Sequence, residues 1–235
     1  MKRFFGEKEG DFIKVSDDEY NHLKKILRMK EGDSIIGCVN DEYDYYCTIE
    51  KMESKVCYCH IDKIEKNLAL PKKNIVLFQM LPKKEYVDNI IPKAVELGVS
   101  EIYFFTSSWT GQKYLNMERL KTQVKTACKQ CERSKLVKVY EILDFDKMVE
   151  LLGEFDIALF PFERESVLNK LEEKRLKNKD NICLVVGNEA GFTDLEAERI
   201  KSLKNVETFS LGGRILRCDT AVTSMLAIIN HFTGN

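Results

Sequence analysis

From Ile75 onward the chain repeats one rhythm, and that rhythm limits its fold more than any other feature. Runs rich in β-branched and aromatic residues fall at 75–80, 102–105, 137–142, 155–160, 182–186 and 206–210, with helical patterns between them. Alternation of this kind predicts a largely parallel sheet with helices on both faces. The helix expected near 116–133 carries Leu120, Val124, Ala127, Cys128 and Cys131, spaced so that they share one face. Pro92 lies inside another helical pattern, 85–97, and should kink that helix or split it. Before residue 70 the rhythm is different. Short β-like runs at 12–15, 34–39, 43–50 and 55–64, interrupted by one helix at about 17–27, predict a small β-barrel. Pro71 marks the boundary, so the expected domains are 1–70 and 71–235.

A chain of 235 residues is long enough for both parts. No run of 18 apolar residues occurs, so no membrane partner is expected. The opening MKRFFGEKEG lacks the apolar core of a signal peptide, and the expected location is the cytoplasm. Net charge is −1, which excludes a global basic field, so any nucleic-acid contact must use local patches. One patch is 22–30, with Lys24, Lys25 and Arg28. Another is 119–138, with seven basic residues and one acid, Glu132. Eight cysteines include Cys57-x-Cys59 and Cys128-x-x-Cys131. These could ligate zinc with His60 only if the pairs met. Free thiols buried in a reducing compartment are the better reading, and no metal is expected.

Two glycine loops hold the chemistry. Gly187-Asn188-Glu189-Ala190-Gly191-Phe192 follows the strand-like NICLVV, and Thr193-x-x-Glu196 forms a capping box for the next helix. The spacing matches neither a dinucleotide fingerprint nor a phosphate-binding P-loop. The second loop, LGGRILRCDT at 211–220, follows the last strand. Its glycines permit a tight turn. Its Arg214 and Arg217 are unusual for a packing turn, because a buried guanidinium must be paired. Asp219 could instead be the N-cap of the last helix. That helix carries an apolar stripe of Val222, Met225, Leu226, Ile229 and Phe232.

Gly187-x-Glu189-x-Gly191-Phe192, followed by Leu211-Gly212-x-Arg214-Ile215-Leu216-Arg217-x-x-Thr220-Ala221, resembles the bacterial 16S ribosomal RNA uridine-N3 methyltransferases. These belong to the knotted SPOUT class. Leu81-Pro82-Lys83, 93–99 (KAVELGV), 127–133 (ACKQCER) and the His22-to-Gly32 segment stand in the family's order, so the resemblance covers nearly the whole chain. It implies a PUA-like β-barrel followed by a SPOUT-type, trefoil-knotted α/β domain with a parallel sheet, and it implies a homodimer. The implied methyl donor is S-adenosyl-L-methionine. The slot for it is expected from Phe160, Gly187, Glu189, Gly191, Leu211, Gly212, Ile215 and Leu216.

The implied target is N3 of a uridine in small-subunit ribosomal RNA, either naked or in an assembly intermediate. Uridine N3 becomes nucleophilic only on losing its proton. Arg217 is the expected stabiliser of the resulting charge on O2 and O4. Glu189 or Asp219 is the expected proton acceptor. RNA contact is expected from Lys24, Lys25, Arg28, Gln130, Arg133 and Arg214. The chain departs from the family's usual pattern at Tyr86, Pro92, Trp109, Asn188, Ala190, Cys218 and Asp219. Methylation of another RNA position, or RNA binding without catalysis, are the alternative readings.

Overall fold

Strand-forming residues at the N-terminus build a sheet that bends back on itself. The computed structural model describes residues 1–234. Its first six strands are β1 (Lys2–Phe5), β2 (Glu7–Glu9), β3 (Phe12–Ser16), β4 (Ser34–Cys38), β5 (Tyr43–Met52) and β6 (Val56–Lys66). They pair in the order β1-β4-β5-β6-β3-β2, antiparallel except for the parallel β1–β4 pair. Thus β1 and β2 are opposite edges of the sheet, yet only Gly6 separates them in the chain. The sheet has to curl for this to hold. The Gly6 N–H donates to the Cys38 carbonyl at 3.0 Å. A Cβ on Gly6 would lie 2.5 Å from the Lys14 carbonyl oxygen, so the junction needs a residue without one. Inside the curl, Phe4, Ile13, Val15, Leu23, Ile35 and Cys47 form a buried core, and alternate residues of β3 point into it.

The expected early helix begins as α1 (Asp17–Asn21) and continues as a π-helical turn, His22–Ile26. The same compact unit takes in Cys128–Leu136 as well as Met1–Leu70. A buried polar cluster holds that later segment in place. Asp44 accepts from Arg3 at 2.5 and 2.9 Å, from Asn67 at 2.9 and 3.0 Å, and from Ser134 at 2.9 Å. Asn67 also donates to the Glu132 carbonyl at 2.8 Å. Burial alone would raise the Asp44 pKa. The hydrogen bonds from Arg3, Ser134 and Asn67 outweigh it and hold the carboxyl below its ordinary value.

The second unit comprises Pro71–Ala127 and the chain from Val137 onward. It contains β7 (Asn74–Met80), α2 (Lys84–Glu96), β8 (Glu101–Phe105), most of α3 (Met117–Gln130), β9 (Lys138–Val139), α4 (Phe145–Leu152), β10 (Ile157–Pro161), β11 (Asn181–Val186), α5 (Asp194–Lys201), β12 (Val206–Phe209) and α6 (Cys218–Thr233). The six strands are all parallel and run β12-β10-β11-β7-β8-β9. The central β7 and β11 are buried throughout except for their first residues, as a sheet covered on both faces requires. Strand β11 is inserted between β7 and β10, both laid down before it, and α6 returns to pack on α2 and β11.

Two local expectations are revised, and one open point is settled for most of its residues. Helix α2 is continuous through Pro92. Ile90, Ile91, Ala94 and Val95 are fully buried on either side of the proline, and their packing carries the helix past the missing N–H. The strand expected at 137–142 is only two residues long, with a single further bridge from Leu143 to Phe105. It lies at the sheet edge and has one neighbour to pair with. Most of the apolar stripe on α6 is covered within the chain: Val222, Met225, Leu226 and Ile229 are fully buried, and the helix packs on α2 and β11.

Candidate active site

Three neighbouring strands, β12, β10 and β11, end side by side, and the loops leaving them enclose a cavity of about 380 Å³. This is the carboxyl edge of a parallel sheet, where such folds hold ligands, and the volume is in the range of small-molecule sites. The end of β10 and the loop after it supply Pro161, Phe162 and Glu163. After β11 come Gly187–Gly191. After β12 come Ser210–Gly212 and Arg214–Arg217, and Cys218 and Ala221 of α6 close the wall together with Tyr86 of α2.

The turn after β11 is held from beneath. Gln79 on β7 is fully buried, and its side-chain amide donates to the Gly187 carbonyl at 3.0 Å. A Cβ at Gly187 would come 3.1 Å from the Phe192 ring. One at Gly191 would come 3.1 Å from the Glu163 carboxylate. Gly191 also has φ +71, a conformation that suits glycine. Asn188 tightens the turn by accepting the Ala190 N–H at 2.9 Å. In the second loop, Gly212 has φ +108, and Ser210 Oγ accepts its N–H at 3.1 Å.

The cavity brings together most of the expected site. Gly187, Glu189, Gly191, Leu211, Gly212, Ile215 and Leu216 line it, and so do Arg214 and Arg217. Ile215 is 89% exposed, so it forms rim rather than floor. Arg217 takes the N-cap position of α6 with an extended backbone and no side-chain cap bond. Capping therefore does not occupy its guanidinium. One carboxylate oxygen of Glu189 accepts the Lys83 N–H at 2.9 Å.

Three expectations need correction. Phe160 is fully buried, with its ring 5.3 Å from Phe162 and 5.1 Å from Phe192. It supports the cavity from behind, and the chain beyond it, Pro161–Glu163, forms the lining. Asp219 lies outside the lining. It is neither N-cap nor cavity wall, since its carboxylate sits 3.8 Å from Lys93 Nζ and accepts the Thr220 N–H at 3.0 Å. Arg133 is only 4% exposed, and burial pulls its guanidinium pKa below the ordinary value. It is a structural residue of the first unit rather than an outward phosphate contact.

Lys24, Lys25, Arg28 and Gln130 are exposed on that unit. Lys24 Nζ donates to the Tyr20 hydroxyl at 2.9 Å. Arg28 follows the π-turn with φ +54. Among the described residues no cluster of three metal-ligating side chains occurs.

Sequence reasoning missed Tyr86, Pro161, Phe162, Glu163, Cys218 and Ala221 as lining residues. Pro161 could have shown where β10 stops, because proline cannot donate to a ladder. Tyr86 and Ala221 carry no comparable local signal. Burial, with nearby Glu189 and Asp219, pushes the Cys218 thiol up to about 12. It is thus a neutral wall residue at physiological pH and no nucleophile.

A parallel sheet with a ligand-sized cavity between glycine loops, joined to a curled β-unit, defines a two-part ligand-binding α/β protein. The sequence profile of an RNA methyltransferase domain matches residues 69–230, and that of an RNA methyltransferase PUA domain matches residues 15–62. The chain belongs to the RNA methyltransferase family. Ribosomal RNA small subunit methyltransferase E of Bacillus subtilis (strain 168) is 28% identical, over 99% of this chain and 97% of its own. Its namesake in Mesomycoplasma hyopneumoniae (strain 232) is 29% identical, over 96% and 97%. Among solved structures, ribosomal RNA small subunit methyltransferase E from Neisseria gonorrhoeae, bound to S-adenosyl methionine, matches with a TM-score of 0.86 at 22% identity. That match covers 98% of this chain and 97% of the other. The fold class expected from the sequence, a SPOUT-type parallel α/β sheet following a PUA-like unit in the chain, agrees with this superposition and with the two profile matches.

Proposed function

We propose that this chain transfers a methyl group from S-adenosyl-L-methionine to N3 of a uridine in small-subunit ribosomal RNA. The observation that carries the reading is the cavity itself. Two glycine loops and an apolar strand end meet there, and two arginines lie on the wall. The names of the full-length relatives support the substrate class.

The residues fit the donor. Phe162, Leu211, Leu216 and Ala221 offer apolar surface for an adenine ring. Gly187 and Gly191 lie where a Cβ would crowd Phe192 and Glu163, and both line the cavity. When bound, the donor supplies an electrophilic methyl group on a sulfonium. The protein's own part is to prepare and hold the acceptor. Glu189, on the cavity wall, takes the N3 proton. Arg217, on the cavity wall, stabilises the negative charge that spreads to O2 and O4. Holding N3 in line with the methyl contributes alongside these charges. Lys24, Lys25, Arg28, Gln130 and Arg214 contact the RNA backbone and set its register without reading bases. The active form is a homodimer in the cytoplasm.

The test is mass-spectrometric mapping of modified nucleosides in ribosomal RNA from cells with and without the gene. Loss of one N3-methyluridine, restored by the purified chain and donor, is the expected result. Loss of a methyl at another atom would move the reaction to that atom, and no loss would refute methyl transfer.

A further inference from the structure

A second cavity, of about 490 Å³, opens beside the first. The two share Asn188, Glu189 and Ala190 as a common wall, and Pro82, Lys83 and Trp109 are among the other residues that line the second cavity. Trp109 is the only tryptophan of the chain and is 50% exposed. Leaving half an indole in water forgoes the hydrophobic gain of burying it. The loop around it is nonetheless not loose. Glu196 accepts the Ser108 N–H at 2.9 Å, and Thr110 Oγ1 accepts the Ser107 N–H at 2.8 Å. The Thr110 N–H donates to the Ser107 carbonyl at 3.1 Å. Asn188 Nδ2 donates to the Trp109 carbonyl at 3.3 Å. The backbone on both sides of the ring is pinned while the ring itself stands clear. One of those pins comes from the glycine turn that lines the first cavity.

We propose that the second cavity is a nucleobase subsite and that Trp109 is the face on which the target base stacks. This rests on the methyl-transfer reading above. A base drawn out of a stack loses its neighbours' π-faces, and an aromatic side chain replaces them. Stacking tolerates any base, so Trp109 positions the ring, and the polar edge along the shared wall deals with N3. Because Asn188 joins the two loops, ordering the base on Trp109 also orders the turn beside the methyl donor. Trp109 is a positioning residue. It holds the base without touching the reacting bond.

The lone indole provides a direct readout on the full-length chain. Single-stranded oligouridylate should quench its emission, whereas an abasic ribose-phosphate oligomer of the same length should not. Equal quenching by both, or by neither, would overturn the proposal. A shift in emission on dilution of the protein alone would show a second copy covering Trp109, and would overturn it too. Trp109→Ala should lower kcat/KM toward small-subunit ribosomal RNA by roughly tenfold or more, and Trp109→Phe should restore most of that loss. Calorimetric affinity for S-adenosyl-L-methionine should be the same in all three proteins. Unchanged kcat/KM in the alanine variant of an active enzyme would refute the role. If the wild-type protein methylates nothing, the functional reading fails, and the quenching experiment still decides the stacking claim.

Discussion

Arg217 and Asp219 stand two residues apart and have different fates, and backbone position accounts for the difference. Arg217 ends the loop in an extended conformation with its side chain on the cavity wall, whereas Asp219 lies inside the first turn of α6 and meets Lys93. Arg217→Ala is expected to lower kcat about a hundredfold or more, the scale of removing one charge-stabilising donor. Circular dichroism and donor affinity should be unchanged. Retained turnover would remove Arg217 from the reaction. Gly191→Val is expected to abolish donor binding in calorimetry, because the position has φ +71 and a Cβ there meets Glu163. Wild-type affinity in that variant would show that the turn is not part of the slot. Both residues were legible in the sequence, as a glycine after a strand and an arginine beside a helix start. Phe160 was misplaced because an apolar strand run does not state where its last inward residue falls. Arg133 was misplaced because a basic residue in a basic stretch carries no mark of burial.

The capping box shows what was and was not legible in an element. Thr193-x-x-Glu196 announced the start of α5, and both of its reciprocal bonds are present. Glu196 has a second task, accepting the Ser108 N–H from a residue 88 positions away, and local pattern cannot reveal that. Burial would raise the Glu196 carboxyl pKa, but the bonds from Ser108 and Thr193 hold it low. Glu196→Ala should therefore do two things. It should destabilise the chain by about 1–2 kcal/mol through the lost cap, and it should lower the fluorescence anisotropy of Trp109 by freeing the loop base. Unaltered anisotropy would mean that the loop is held without Glu196. The length of β9 was overestimated for a related reason. Residues 137–142 have strand composition, but pairing depends on a neighbour that only the fold supplies.

Across the molecule, the alternating pattern pointed to the parallel sheet that is present, while the change of rhythm near Pro71 suggested a single cut, into 1–70 and 71–235. It could not show that Cys128–Leu136 belongs with the N-terminal sheet, because the tie is a buried polar cluster assembled from four distant stretches. Each unit carries a buried carboxylate held below its ordinary value, Asp44 in one and Glu196 in the other. The unfolded chain binds those protons more readily, so their stabilisation is complete above the unfolded pKa values of about 3.9 and 4.3 and is lost as pH falls below them. The urea midpoint should be flat through neutral pH and drop under about pH 4. Asp44→Asn should lower it at neutral pH, since Arg3 would lose its charge partner. It should also flatten the acid limb. An acid limb as steep as that of the wild type would assign the effect to other carboxyls.

The late arrival of Ser134 has a consequence for synthesis on the ribosome. The nascent chain can lay down all six strands of the N-terminal sheet while Asp44 still lacks one of its donors. The missing piece emerges several seconds later at a translation rate of about 5–20 residues per second. Until then the newborn sheet is an incomplete vessel, and its final closure waits for polypeptide that has already begun building the other half.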